Sequence, residues 1–373
     1  MKKGNQTKRV VVKIGSSLIT DNGRGLAISR LSDWTRQISE LTDEGFEIIL
    51  VSSGAVAEGM TRLGWENRPK MIHELQAAAA IGQMGLIRAY EDSFSTRGIK
   101  TAQILLTHDD LTNRKRYLNA RSTLKTLIDL GILPIVNEND SVATEEIRFG
   151  DNDTLAALVA NLVEADLLII LTDQDGLFTG DPRSSSDVQI VHTASVNDSS
   201  LEEMATDSGS HIGSGGMITK LRAAKRAARS GTHTHIANGK KADVLLKLMA
   251  GESTGTKLTA TAQKIKSKKQ WLSSQIQVSG VLEIDEGATK AITENRSSLL
   301  PIGVVKVSGK FERGDIVACH SPSGKTIAHG LVNYNSKEAN RISGLPSEKI
   351  ESELGYVDEL ELINRDNLSL EEY

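Results

Sequence analysis

The stretch RVVVKIGSSLIT, Arg9–Thr20, sets the fold class. Three consecutive valines and an isoleucine favour extended backbone, and a run apolar at every position suits a strand covered on both faces, as in a parallel sheet. Lys13 stands near the carboxyl end of that strand, and Gly15-Ser16-Ser17 turns the chain directly after it. In open α/β sheets ligands bind at this edge, and glycine lets backbone N–H groups come close to an anion. A lysine there points to phosphate. Taken alone it is better read as a surface lysine laying its stem along the protein.

Outward from this stretch, strand-like and helix-like patterns alternate. Leu31, Trp34, Ile38 and Leu41 repeat at helical spacing, and the runs FEIILV, AQILL, ILPIV and DLLIIL each read as a strand. Such alternation predicts an α/β fold on a mainly parallel sheet up to about residue 260. Leu155, Leu158, Val159, Leu162 and Val163 form one apolar helical stripe. The polar, basic run ATAQKIKSKKQWLSS then reads as a linker. Beyond it IQVSGVLEI, IGVVKV, DIVAC and TIAHGLV are short strand-like pieces between Gly, Ser and Asp turns, a small mainly β domain. The expected division is 1–260, a linker at 261–275, a β domain at 276–357 and a tail at 358–373.

Bulk composition narrows the function. The chain has 373 residues, with 44 Lys+Arg against 48 Asp+Glu and 3% aromatic content. A dedicated nucleic-acid binder usually has a pI above about 9 over its binding domain. Cys319 is the single cysteine, which excludes an intramolecular disulfide framework and CxxC sites and fits a reducing cytoplasm. The amino terminus does not read as a signal peptide, because Lys13 interrupts its apolar run, and no run approaches the ~18 apolar residues of a membrane span.

Four further segments carry chemistry. Val51-Ser52-Ser53-Gly54-Ala55 is a second strand-to-helix turn; it lacks the GxSxG spacing of a nucleophile elbow, and either serine can simply cap a helix. HIGSGGMITK, residues 211–220, runs into a helix, so its glycines would expose amides at a helix N-terminus. Lys220 sits near that positive helix end, where a cation is disfavoured unless something negative is close by. VNENDSVATEEIRFGDNDT, residues 136–154, gathers Glu138, Asp140, Glu145, Glu146, Asp151 and Asp153 around three asparagines. Metal, ammonium, lysines of the chain itself and solvent are all candidate partners, and Asp151 or Asp153 can equally cap the following helix. LTDQDGLFTGDPR, residues 171–183, follows a predicted strand and is placed for ligand contact. The only GK[ST] is Gly324-Lys325-Thr326, with Cys319 where a P-loop needs its leading glycine. Protein-kinase signatures and HExxH are also absent.

KIGSSLIT, VSSGAVAEG, VNENDSVATEEIRFGDND, LTDQDGLFTGDPR and GSGGMITK, in that order, resemble the amino acid kinase superfamily. The NEND and GDND pair is similar to the glutamate 5-kinase family within it. The tail, with EGATKAI, SSLLPIGV, GDIV and AHGLVNYNS, looks like a PUA domain. The resemblance implies a three-layer α/β/α kinase domain using ATP and Mg²⁺ to phosphorylate the side-chain carboxylate of L-glutamate, giving L-glutamyl 5-phosphate, the first step of proline synthesis. Carried over by motif, Lys13 and Lys220 would bracket the transferred phosphoryl group, with Asp153 orienting both. Lys13, Gly15, Thr172, Asp173 and the turn Ser214, Gly215, Gly216, Met217, Ile218, Thr219 and Lys220 would hold ATP. Ser53, Asp140 and Asn152 would hold glutamate, with Asp140 and Asn152 on its ammonium. No protein ligand to metal is assigned; Glu145 and Glu146 are read as solvated. Feedback by proline and a homo-oligomer follow by analogy only, whereas a cytoplasmic location is expected from the single cysteine and the lack of a signal-peptide or membrane-span pattern. The alternatives are an aspartokinase, a uridylate kinase, or an RNA-binding protein acting through the PUA-like domain.

Overall fold

The computed structural model describes residues 8–20, 25–143, 152–180, 188–207, 216–260 and 278–371. The expected linker and Glu145, Glu146, Asp151, Ser214 and Gly215 lie outside the described residues. The chain forms two compact units, Met1–Asp109 with Arg121–Lys264, and Asp110–Ala120 with Ile265–Tyr373. Among the described residues no helix is long and apolar enough to cross a membrane.

The first unit carries strands β1 (Arg9–Ile14), β2 (Glu47–Val51), β3 (Thr101–Leu106), β4 (Leu133–Glu138), β5 (Leu167–Thr172), β6 (Thr193–Ser195), β7 (His233–Asn238) and β8 (Thr256–Thr259). They make one sheet in the order β3-β4-β2-β1-β5-β7-β8-β6, parallel throughout except at β7–β8. Val10, Val11, Val12 and Ile14 of β1 are fully buried, as the unbroken valine run requires. On one face, Val10, Val12 and Leu50 pack with Leu31, Trp34, Ile38 and Leu41 of the Ile28–Asp43 helix and with Leu86, Tyr90 and Phe94 of the Ile72–Ser95 helix. The Asp153–Leu162 helix packs on β1 and β5, and the Met217–Ala227 helix on β5 and β7. The predicted stripe on the Asp153–Leu162 helix is wider than its sequence suggests, because Ala156, Ala157 and Ala160 are buried too.

The Ala55–Leu63 and Ile72–Ser95 helices cross at glycines. A Cβ on Gly82 would lie 1.9 Å from the Ala55 carbonyl oxygen, and one on Gly59 would lie 1.7 Å from that of Ala78. Neither neighbour can yield, since both are helix backbone. Gly82→Ala is therefore expected to destabilise the protein by about 1–3 kcal/mol or more, the usual cost of overpacking, read as a lower melting temperature in thermal unfolding. An unchanged melting temperature would show that the helices are not held this close.

The second unit has β9 (Gly280–Ile284), β10 (Val304–Gly309), β11 (Ile316–His320), β12 (Thr326–Leu331) and β13 (Leu368–Leu370) in the order β10-β9-β11-β12-β13, antiparallel except at β9–β11. Its core joins Leu282, Phe311, Val317, Cys319, Tyr334 and Ile363. Leu118, from the 110–120 segment, packs on Ile316 and Leu331. Gly324-Lys325-Thr326 belongs to the β11–β12 hairpin, with Gly324 at φ +79°, so it has no part in phosphate binding of the P-loop kind.

Candidate active site

Strands β4, β2, β1, β5 and β7 are neighbours and parallel, so their carboxyl ends share one sheet edge. The chain runs from β1 outward to β2 and β4 on one side, then returns to β5 and β7 on the other. That makes β1 the switch point, where the flanking loops part and leave a crevice. Ser53, Asn137 and Asp140 follow or end strands on the β2/β4 side. Thr172, Asp173 and Asn238 end or follow strands on the β5/β7 side. Lys13 stands between the two groups, with Val51 and Ile170 as its register neighbours.

Three charged groups meet at this point. The Lys13 ammonium lies 2.5 Å from Asp153 Oδ1, and the Lys220 ammonium donates to Asp153 Oδ2 at 3.0 Å. Asp153 is fully buried and each lysine is only 4% exposed. Asp153 opens the Asp153–Leu162 helix, and its carboxylate is directed to the lysines; the preceding Asn152 makes no side-chain cap either. Capping thus gives way to ion pairing as the account of Asp153. Burial alone would push the Asp153 carboxyl up, but the Lys13 and Lys220 ammonium groups hold it well below the usual carboxylate range. Lys220 falls in the first turn or so of the Met217–Ala227 helix, and Asp153 supplies the negative charge that offsets the helix dipole there. Asp153 thus brings two ammonium groups to one buried point, and paired ammonium groups are suited to binding the oxygens of an anion.

A neutral amide network lies on the β2/β4 side. Asn152 Nδ2 donates to the Ser52 carbonyl at 2.5 Å and to Asn137 Oδ1 at 2.7 Å, and Asn137 Nδ2 donates to Gln83 Oε1 at 2.7 Å. Ser52 Oγ and the Tyr90 hydroxyl share a hydrogen bond at 3.1 Å. Ser53 Oγ is buried and has no hydrogen-bond partner among the described residues. Asp140 is half-buried in the turn after β4. Sequence reasoning missed Asn137 and Gln83. The signal for Gln83 was a polar residue at helical spacing from the buried Ala79 and Leu86.

On the β5/β7 side Thr172 Oγ1 donates to Asp173 Oδ1 at 3.2 Å, and Gly15 N–H donates to the Leu171 carbonyl at 3.3 Å. Gly216 caps the Met217–Ala227 helix in extended conformation without a side-chain hydrogen bond at its N-terminus. Met217 and Ile218 place their side chains in or against an apolar cluster with Leu177 and Leu221, so what they present to a ligand is backbone N–H. Thr219 Oγ1 lies 3.0 Å from Asp153 Oδ2 and 2.7 Å from the Gly216 carbonyl. A cavity of about 340 Å³ opens nearby, lined by Asp175, Phe178, His192, Lys241 and Lys247 among others. Asp175 is held there by Asn238 at 3.0 Å and by Lys241 at 2.9 Å.

Residues 8–238 match the profile of the amino acid kinase family. The chain belongs to the amino acid kinase family. Residues 280–354 of this amino acid kinase match the PUA domain profile. It is 58% identical to glutamate 5-kinase of Nitrosospira multiformis, over 98% of this chain and 98% of that protein. Identity to glutamate 5-kinase of Cupriavidus metallidurans is 57%, again over 98% of each chain. The structure of carbamate kinase from Giardia lamblia superposes with a TM-score of 0.50 at 16% identity, covering 68% of this chain and 98% of that one, which establishes a shared fold. In this amino acid kinase the family's fold supplies the crevice, and Asp153 gathers the two lysines within it.

Proposed function

We propose that the protein transfers the terminal phosphoryl group of ATP to the side-chain carboxylate of L-glutamate, giving L-glutamyl 5-phosphate and ADP, the first step of proline biosynthesis. The observation that carries this reading is the buried Lys13–Asp153–Lys220 cluster at the switch point. Its two ammonium groups lie between a nucleotide side and an acceptor side. The relatives named glutamate 5-kinase, which match almost the whole chain, support the choice of acceptor.

The chemistry asks for no general base. The side-chain carboxyl of glutamate ordinarily titrates near pH ~4.3 and is already ionised at neutral pH. Its oxygen forms the new bond to phosphorus while the bond to the β–γ bridging oxygen breaks, and ADP leaves with that electron pair. The obstacle is bringing two anions together. Lys13 and Lys220 answer it by holding the transferred group's oxygens, where a loose transition state spreads its charge. Asp153 keeps both ammonium groups aimed. Backbone N–H groups of Gly216 to Ile218 and the Thr172–Asp173 turn hold the phosphate chain, and the cavity beside Asp175 and Phe178 suits base and ribose.

Among the described residues no group of three or more His, Cys, Asp or Glu side chains is placed to hold a metal. Mg²⁺ would enter with ATP, held by its phosphate oxygens and water, and would supply further charge neutralisation.

Asp140 and Asn152 Oδ1 take the ammonium of glutamate, and Ser53 Oγ donates to it elsewhere. Proline shares the ammonium and carboxylate of glutamate and fits the same pocket as a feedback inhibitor. Asp140→Asn is expected to raise KM for glutamate about 10- to 100-fold, the range for losing one charge-assisted hydrogen bond, with KM for ATP unchanged. Steady-state kinetics check this; an unaltered KM for glutamate would remove Asp140 from the pocket.

The function itself is tested by ADP release with glutamate, aspartate, acetylglutamate and UMP as acceptors. Glutamate alone should support turnover. Preference for any of the others would overturn the reading.

A further inference from the structure

The acceptor side contains a hydrogen-bond donor that the mechanism above does not use. Gln83, on the Ile72–Ser95 helix, is only 9% exposed. The network around it fixes the orientation of every amide. Asn137 Oδ1 accepts twice, from the Glu138 backbone N–H at 2.9 Å and from Asn152 Nδ2 at 2.7 Å. Asn152 Nδ2 also donates to the Ser52 carbonyl, so Asn152 has spent both its N–H groups and retains Oδ1 as an acceptor. Asn137 Nδ2 donates to Gln83, so Gln83 must turn its oxygen toward Asn137 and keep both Nε2 hydrogens. That Nε2 is buried with no partner among the described residues, as is Ser53 Oγ. The neighbouring Gly82 touches Ala55, which places this part of the helix against the Ser53–Gly54–Ala55 turn.

Buried donors left unsatisfied are costly and usually have a partner in the working state. The two unspent donors, Gln83 Nε2 and Ser53 Oγ, suit an anion. The acceptor that the same network retains, Asn152 Oδ1, suits a cation, and the Asp140 carboxylate in the turn after β4 is of the same kind. Together they match the two ends of an α-amino acid. We propose that Gln83 is a substrate-binding residue whose Nε2 donates to the α-carboxylate of the acceptor, alongside Ser53 Oγ. The inference rests on the glutamate reading and adds to it a determinant for the free α-carboxylate.

The test compares L-glutamate with its 1-amide, which carries a carboxamide in place of the α-carboxylate, in wild type and in Gln83→Glu. The substitution keeps an oxygen for Asn137 and the side-chain shape, and it replaces the donor with an anion. KM for L-glutamate should rise about 10- to 100-fold, as expected for losing a hydrogen bond to a charged group, with kcat and KM for ATP little changed. The preference of wild type for glutamate over the 1-amide should fall by a similar factor, because a carboxamide N–H can donate to the introduced carboxylate. A glutamate KM near the wild-type value overturns the proposal. So does a raised KM with unchanged preference, which would make Gln83 only a prop for Asn137. Should Gln83→Glu fail to fold, Gln83→Met removes the donor without adding charge, and the same loss of preference is required of it. A wild type that does not phosphorylate glutamate refutes the functional reading itself, whereas an active wild type with insensitive variants refutes the role of Gln83 alone.

Discussion

Lys220→Ala is expected to lower kcat about 10²- to 10³-fold, the usual loss when one preorganised donor to a transition-state charge is removed, with KM for glutamate within a few-fold of wild type. Lys220 ends on Asp153, on the side of β1 proposed here for the nucleotide, whereas Ser53, Asp140 and Asn152, proposed for the acceptor, lie on the β2/β4 side. Its ammonium therefore acts on the charge that develops during transfer, and not on the bound acceptor. A residue acting in the transition state lowers kcat and kcat/KM together. The fold should survive, because Asp153 keeps Lys13 at 2.5 Å. Steady-state kinetics with a melting curve for the variant decide the point. Unchanged turnover would exclude Lys220 from the chemistry, and a raised KM alone would move it to the acceptor pocket.

Asp153→Ala should be more damaging still, because it removes the carboxylate that lies between the two buried lysines. Breaking a buried ion pair by deleting one partner costs about 3–5 kcal/mol, since the other charge is left uncompensated. Here two ammonium groups, each on a lysine only 4% exposed, would lose the carboxylate they share. The expected result is a large fall in denaturation midpoint together with loss of turnover. The wild-type contribution depends on pH with a definite sign. Asp153 is held below its ordinary range in the folded protein, so its stabilisation is complete above the unfolded carboxyl pKa of about 3.9 and is lost as pH falls below it. Around neutral pH, Asp153 should therefore give no titration step in the rate profile. A variant as stable as wild type at neutral pH would show that the lysines do not depend on this carboxylate.

Much of the architecture was legible because local pattern and burial agree. The valine run of β1 and the runs at β2, β4 and β5 are apolar at nearly every position, and a strand buried on both faces leaves that mark. Lys13, Lys220 and Asp153 could each be singled out, the lysines by glycine turns and the carboxylate by its acidic loop. Their meeting at one point was expected from the family resemblance alone and has no local signature, since it depends on β1 lying beside β5 and on two helices packing over both. The same limit hid Asn137 and Gln83. An asparagine in an acidic loop and a glutamine in an alanine-rich helix have no local signature, and their roles arise only when the helices cross at Gly59 and Gly82. The 110–120 segment is similar: nothing in RKRYLNA marks it as a partner of Ile316 and Leu331, residues that follow it by some two hundred positions.

The central claim is that two lysines remote in sequence act on one phosphoryl group, and a crystal structure with a non-hydrolysable ATP analogue and L-glutamate tests it most directly. The account predicts the Lys13 and Lys220 ammonium groups within hydrogen-bonding reach, about 2.7–3.2 Å, of the terminal phosphate, with the glutamate side-chain carboxylate approaching it from the β2/β4 side. A terminal phosphate bound away from both lysines, with Lys13 and Lys220 still on Asp153, would contradict it.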